Sequence, residues 1–538
     1  MPDNPKHHRH TSRATSGPTN VRAMDSSPAA AGKGKWMVLI AAFLGWMFDG
    51  FEMGLFPLIG GPALKELLGP TAAASGDTDR WFGGIIAVFL IGAATGGVLF
   101  GWLGDRFGRV RAMSLSIFTY AIFTGLCGFA TEAWHIAALR FIASLGMGGE
   151  WSLGVALVNE IWPGKSRALI AGLIGAAANV GFLLVAVLSI VLLSFISGIE
   201  SLLGAVGFSE GWIDHLLANS AWRFLMISGA VPALLIFFIR LFVPESEKWE
   251  QEHARGATSH WANRDLLGVL IGCVASLFII WTWMPEGLGH PLDLLADQAT
   301  VKTTAAIGIT IAGLIVALIG YLWPVRRYLT RANMAGSMRS ASEGQVLGRM
   351  LLGAALSGVA LLGTWGAIQW APRWAFQLQP DPAQHAKEYT QICLAFGAIV
   401  ATILAALAAG QFGRRITYTL LCLGSIGSAL LLYQGNAEFG PFFLVCSFLA
   451  GGITAAFYGW FPLYLPELFP TAVRATGQGF SYNFGRILAA IGGLQTATLM
   501  GLFDGSFPKA GSVLTAIYLV GVFIIWLGPE TKGKPLPE

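Results

Sequence analysis

One pattern, E-x-x-P-x-x-x-R, stands twice in this chain of 538 residues, at Glu160 to Arg167 and again at Glu467 to Arg474, an offset of 307. A second motif, Gly104-Asp105-Arg106-Phe107-Gly108-Arg109, has a reduced echo in Gly410-Gln411-Phe412-Gly413-Arg414-Arg415, at an offset of 306. Two independent motifs at nearly one spacing require an internal duplication, so the chain must fold as two similar halves. Both copies close long apolar stretches. Duplicated apolar halves point to a membrane transporter whose substrate lies between them.

Composition supports this. Apolar residues make up 54% of the chain and charged ones 12%, about half the charged share of a soluble domain. Segments long enough to cross about 30 Å of hydrocarbon recur near 36–58, 81–103, 112–130, 134–159, 168–194, 221–242, 266–284, 303–324, 347–371, 389–410, 416–433, 439–465, 474–501 and 511–527, which makes fourteen expected transmembrane helices in an all-α, polytopic membrane protein. With both termini inside, 25 of the 34 Lys and Arg fall on the cytoplasmic side, 7 outside and 2, Arg140 and Arg486, within the membrane. Basic loops stay cytoplasmic, so this asymmetry sets the topology in a cell membrane. The net charge of +4 then reports positive-inside loops, not a nucleic-acid partner. The five cysteines all fall in apolar segments as small hydrophobes, and no disulfide, metal site or cofactor is expected. Residues 1–33 lack an apolar core and read as a disordered cytoplasmic tail in which His7, His8 and His10 are solvated.

A third repeated signature, Pro244-Glu245-Ser246 against Pro529-Glu530-Thr531, is offset by only 285, and the shortfall of 22 locates an insertion in the outside loop around 197–220. Two further helices, 266–284 and 303–324, separate the halves. An even number of added spans preserves the orientation of the second half. The expected layout is a six-helix bundle over 34–245, a central region over 246–345 with two extra helices, a second six-helix bundle over 346–530, and a short tail, 531–538. The simplest place for the extra pair is against the outside of the bundle.

The 104–109 loop motif, Arg140 followed by Gly146-Met-Gly148-Gly149, and the Pro-Glu-Ser and Pro-Glu-Thr ends resemble the major facilitator superfamily. Asp49-Gly50-Phe51-Glu52 and the run from Glu467 to Arg486 are similar to its metabolite:proton symporters, the carriers of sialic acid, aromatic acids, lactate and similar carboxylates. The resemblance implies alternating access of the two halves, a single-chain working unit, and a first-span acid that works with a fourth-span Arg. The outside insertion and the two central helices depart from the family pattern.

Charge at mid-membrane costs roughly 2.5 to 3.5 kcal/mol and is kept where it meets a partner or a wet cavity. The candidates are Asp49, Glu52, Arg140, Glu150 and Arg486. At about 1.5 Å per residue, Asp49 lies roughly 20 Å from the inside and Arg140 roughly 10 Å from the outside, so the two can pair, with Glu52 one turn further along. Protonation of Asp49 or Glu52 would release Arg140 and couple proton entry to substrate movement; the plainer reading is a fixed ion pair orienting the fourth span. Arg486, with Asn483 one turn below it and Asn179 at its pseudo-symmetric position, suits a carboxylate. Its alternative is a pair with Asp105 or another acid at the cytoplasmic end. Trp365, Gln369 and Tyr458 are placed to line an organic-substrate cavity, or else to serve as interfacial and packing aromatics. Glu150 is either a proton-relay group or a partner of Arg109 or Arg167. Asp105, Arg106, Arg109, Glu160, Arg167, Glu467 and Arg474 read as a cytoplasmic gate that pairs when the inner side is shut.

These readings give proton-coupled uptake of a small organic anion. A sugar or polyol porter shares several of the motifs, and a transporter-like sensor is a further alternative. A pump is disfavoured because no phosphate-cradling loop is present, an exporter because the fifth span carries no proline, and an enzyme because no Ser/His/Asp cluster occurs in any span.

Overall fold

The computed structural model describes residues 28–69, 77–162, 166–283, 292, 299–335, 342–381 and 384–537, and among them every regular element is a helix. Most of the expected tail, including His7, His8 and His10, lies outside the described residues, as do Pro163 and Arg339. Helix is already under way at Pro28, earlier than the expected boundary at 34.

The first half holds span one (Pro28–Leu68), span two (Asp77–Phe107), span three (Arg109–Leu126), span four (Ala133–Ile161), span five (Arg167–Val206) and a broken span six ending in Leu235–Phe242. The second half holds span seven (Glu343–Gly366, prolonged by Ala371–Leu378), span eight (Ala386–Phe412), span nine (Arg414–Gln434) and span ten (Pro441–Ala455, prolonged by Phe457–Tyr464). Span eleven runs as Arg474–Asn483 and Gly485–Leu502, and span twelve as Phe507–Thr515 and Ile517–Ile524. Between the halves stands a hairpin of Leu266–Trp283 and Ala299–Met334.

Twelve of the described helices are long and apolar enough to cross a membrane, the central pair among them. Spans six and eleven, the other two of the expected fourteen, are not among these twelve. In span six the chain leaves helical geometry at Ala218–Ala221 and tightens again at Val231–Leu234, where Pro232 lacks an N–H. In span eleven Ile487 N–H bonds Phe484 C=O at 3.1 Å, a tightened turn.

The insertion at 197–220 is not a loop. Span five continues as helix to Val206, and a second helix starts at Glu210. Ile213 and Leu217 bury against Leu64 and Trp222, giving this outer helix an apolar face that covers the end of span one. Glu66 anchors the return, accepting from Asn219 Nδ2 (2.9 Å), Trp222 Nε1 (2.6 Å) and Arg223 Nη2 (2.8 Å).

Two seams join the halves, span two along span eleven and span five along span eight. Backbones touch where side chains are missing: a Cβ on Gly479 would lie 2.2 Å from the carbonyl oxygen of Gly97. The central hairpin packs on spans two, seven and eleven and so covers one seam. Tyr321 Oη shares a buried 2.9 Å hydrogen bond with Thr95 Oγ1 of span two.

Candidate functional site

At one end of the bundle the repeated motifs form a buried clasp. Gly108 and Gly413, at φ 114° and 98°, turn the chain into spans three and nine, a backbone state open to glycine. The next residues, Arg109 and Arg414, enter the helices with buried side chains. Arg109 pairs with Asp105 and donates to Glu160 (3.3 Å) and to Thr471 C=O (3.0 Å). Glu160 also takes Arg474 of the other half at 2.9 Å and Ser246 Oγ at 2.5 Å. In the second half Glu467 takes Arg414 (2.7 Å), Arg167 across the seam (3.3 Å) and Thr531 Oγ1 (2.6 Å). Asp105 accepts from Thr476 N–H and Oγ1 at 2.8 and 2.5 Å. Six of the seven expected gate residues therefore meet. Arg106 does not: it is half-buried, hydrogen-bonds Asn263 and lies over the Trp102 and Phe107 rings. One residue past Asp105 is about 100° further round the helix, which turns Arg106 away from the clasp.

Sequence reasoning missed half of this clasp. Arg414 sits in the echo of the first motif and was legible as the mate of Arg109. Glu245 and Glu530 cap the N-termini of spans three and nine, accepting from Arg109 N–H (2.9 Å) and Arg414 N–H (2.9 Å). Burial, outweighing these bonds, pushes the Glu245 carboxyl up, whereas for Glu530 the N–H groups of Arg414, Lys532 and Arg415 overcome burial and hold it down. The short tail over 531–538 is docked: Leu536 is buried, and Pro537 C=O accepts from Arg474 Nη2 at 2.6 Å.

Midway along the bundle a cavity of about 960 Å³ opens between the halves. Asp49, Asn179, Trp365, Gln369, Tyr458 and Arg486 line it, over an aromatic floor in which Trp46 stacks on Trp151 and Trp151 on Tyr482, the last pair with ring centroids 3.9 Å apart. That stack crosses from the first half to the second and closes the cavity towards the clasp. Span seven breaks at this level. Ala371 N–H turns to Ile368 C=O in a tight turn, and the carbonyl of Ala367 so freed is taken by Tyr433 Oη at 2.5 Å. The break turns Trp365 and Gln369 into the cavity. Arg486 lies 5.4 Å over the Tyr482 ring, and among the described residues its Nε and Nη1 have no hydrogen-bond partner.

Three expectations are corrected. Asn483 is not in the cavity; three residues from Arg486 is about 60° around the helix, and its Nδ2 donates instead to Gly148 C=O of span four at 3.1 Å and to Gly479 C=O. Arg140 pairs with Glu52 at 3.3 Å, not with Asp49. Side chains lean towards a helix's N-terminus, which in span four is the end away from the clasp, and this carries the guanidinium to Glu52 between the Phe56 and Phe89 rings. Thr124 Oγ1 completes the pair, donating to Glu52 at 2.9 Å. Glu150 reaches neither Arg109 nor Arg167. It fills the space left by Gly45, whose Cβ would stand 1.6 Å from Glu150 Oε1, and adjoins Asp49 and Tyr120. Among the described residues, both Glu150 oxygens and Asp49 Oδ1 lack a hydrogen-bond donor.

Two repeated halves meeting on one cavity that holds charged, amide and ring side chains, with a clasp at one end, define a membrane transporter and not an enzyme. The chain belongs to the family described as sugar (and other) transporter, which matches residues 29–265 and 330–538 and passes over the central hairpin. It is similar to a cis,cis-muconate transport protein of Acinetobacter baylyi, 27% identical over 514 residues, covering 94% of this chain and 97% of that one. It is also similar to the niacin transporter NiaP of the same organism, 24% identical over 508 residues, covering 94% and 96%. Among solved structures it matches the major facilitator proton:xylose symporter XylE with a TM-score of 0.63 at 18% identity, over 94% of this chain and 98% of that one.

Proposed function

We propose that the protein is a proton-coupled symporter that brings a small organic anion, a carboxylate, across the cell membrane into the cytoplasm by alternating access. The observation that carries this reading is that Asp49 of one half and Arg486 of the other line the same cavity. A buried guanidinium with unfilled donors is costly until a ligand accepts from it, and a carboxylate does so with two parallel bonds. Asn179, Gln369, Trp365 and Tyr458 supply polar and ring contacts to the rest of the substrate.

Asp49 and Glu150 adjoin without a donor between them, and two carboxyls so placed favour keeping one proton. With Asp49 neutral, Arg486 is left to the incoming carboxylate; proton and anion then enter together, and the occluded cavity carries no added net charge. Glu52 and Arg140 form a separate pair that orients spans one and four beside this relay. The clasp residues act as the cytoplasmic gate, here shut, while the halves over 34–245 and 346–530 rock about the cavity as a single-chain unit with both termini in the cytoplasm. Relatives named for cis,cis-muconate and niacin, both carboxylates at neutral pH, support the substrate class.

The test is uptake into proteoliposomes under an inward proton gradient, screened across carboxylates and neutral sugars. Accumulation of a carboxylate is expected. Asp49→Asn should lose gradient-driven accumulation and keep exchange of labelled for unlabelled substrate. Uphill uptake persisting in Asp49→Asn, or accumulation of sugars alone, sinks the reading.

A further inference from the structure

Away from the clasp, the cavity continues into a second, wider hollow of about 1560 Å³. The two share Phe182, Trp365, Gln369 and Gln391 in their walls, so the outer hollow is the vestibule of the inner one. Two cations line it, Arg373 and Lys387, and no aspartate or glutamate does. They come from different helices, Arg373 from the prolongation of span seven and Lys387 from the first turn of span eight, and both stand in the wall of the same hollow. Glu388, beside Lys387 in sequence, is not part of the wall. Among the described residues Lys387 makes no ion pair.

Spacing ties these cations to the deep site. Gln391 follows Lys387 by four residues in one helix, a turn below it on the same face, and Gln369 lies in the tight turn that leads into the helix of Arg373. Both amides belong to the two cavities at once. Two polar ladders thus descend from the vestibule towards Arg486. Adjacent like charges in an apolar-walled cleft focus the field and raise the local concentration of an anion.

We propose that the vestibule is a reception subsite for organic carboxylates, in which Lys387 and Arg373 hold the anion before Gln391 and Gln369 pass it to Arg486. The proposal rests on the carboxylate reading of the deep cavity. The aromatic residues Phe182 and Trp365 between the two levels favour anions with a flat, unsaturated body.

The test uses the full-length purified protein, with benzoate, niacin and cis,cis-muconate as probes, binding measured by calorimetry and uptake in proteoliposomes at low and high ionic strength. For a bound probe, the wild-type KM should rise with salt, because exposed charges are screened. Lys387→Gln should raise KM about tenfold at low salt, the lower end of such focusing effects, with the difference fading at high salt; Lys387→Arg should restore it. Arg486→Gln should leave one weaker, salt-sensitive binding event, which the double variant with Lys387→Gln removes. A wild-type KM indifferent to salt, or Lys387→Gln matching wild type while Arg486→Gln abolishes all binding, overturns the vestibule subsite and leaves the deep carboxylate site standing. Failure of the wild-type protein to bind any of the three probes overturns both.

Discussion

Gly45 marks the place where one missing side chain decides the chemistry. Its face of span one is filled by the Glu150 carboxylate, and the nearest oxygen is 1.6 Å from where a Cβ would stand. Gly45→Ala must therefore push Glu150 away from Asp49. Overpacking of this kind costs about 1 to 3 kcal/mol, so the variant is expected to unfold at a lower temperature and, in proteoliposomes, to lose proton-driven accumulation while keeping exchange. Wild-type accumulation by Gly45→Ala would show that the two carboxyls need not adjoin. The charged residues themselves were legible from sequence, because ionised groups in apolar helices are few. Their pairings were not. Depth along a helix axis brought Asp49 and Arg140 level, but the lean of the Arg140 side chain gave it to Glu52, and a 60° difference of azimuth took Asn483 out of the cavity where Asn179 stayed in. The aromatic floor of Trp46, Trp151 and Tyr482 left no signal at all, since a buried ring in a membrane helix reads as packing.

Elements repeat more faithfully than residues. The Pro-Glu-Ser and Pro-Glu-Thr ends look like loop punctuation in the sequence, yet each places a carboxylate on the N-terminus of a helix in its own half, where N–H groups and the helix dipole favour negative charge. The two caps differ in environment, and this gives opposite pH behaviour. Glu530 is held below its ordinary 4.5, so its contribution to stability is present above that pH and is lost as pH falls through the lowered value. Glu245 is held above 4.5, so its contribution is present below that pH and is lost as pH rises through the raised value. In thermal unfolding followed from pH 4 to 7, the advantage of wild type over Glu530→Gln should grow with pH, and that over Glu245→Gln should shrink. Parallel trends in the two variants would contradict the assignment. Breaks inside a span left no trace in the sequence: hydropathy counts residues, while a displaced turn at Ala218–Ala221 or a tightened one at Phe484 depends on what packs alongside.

Across the whole molecule, closure at the clasp rests on a small number of bonds between halves. Glu160 with Arg474, Glu467 with Arg167, Arg109 with Thr471 and Asp105 with Thr476 all cross a seam. The first two come from the duplicated E-x-x-P-x-x-x-R pattern, each Glu taking the Arg of the other copy, which is why one repeated motif suffices to join two halves. These charges are buried only while the clasp is shut, so the loss of one partner falls on the closed state; opening returns the orphaned group to water. Removing one member of a buried pair costs about 3 to 5 kcal/mol, and each 1.4 kcal/mol shifts a two-state balance about tenfold. Glu160→Gln and Glu467→Gln should therefore each move the population towards the clasp-open form by at least about tenfold. Spin labels at positions 162 and 411, one on each half beside the clasp, should report a longer distance in both variants than in the wild-type background. Equal shifts would follow from the pseudo-symmetry of the two pairs. Unchanged distances in both would mean that the aromatic floor and the glycine seams, not the ion pairs, hold the clasp end closed.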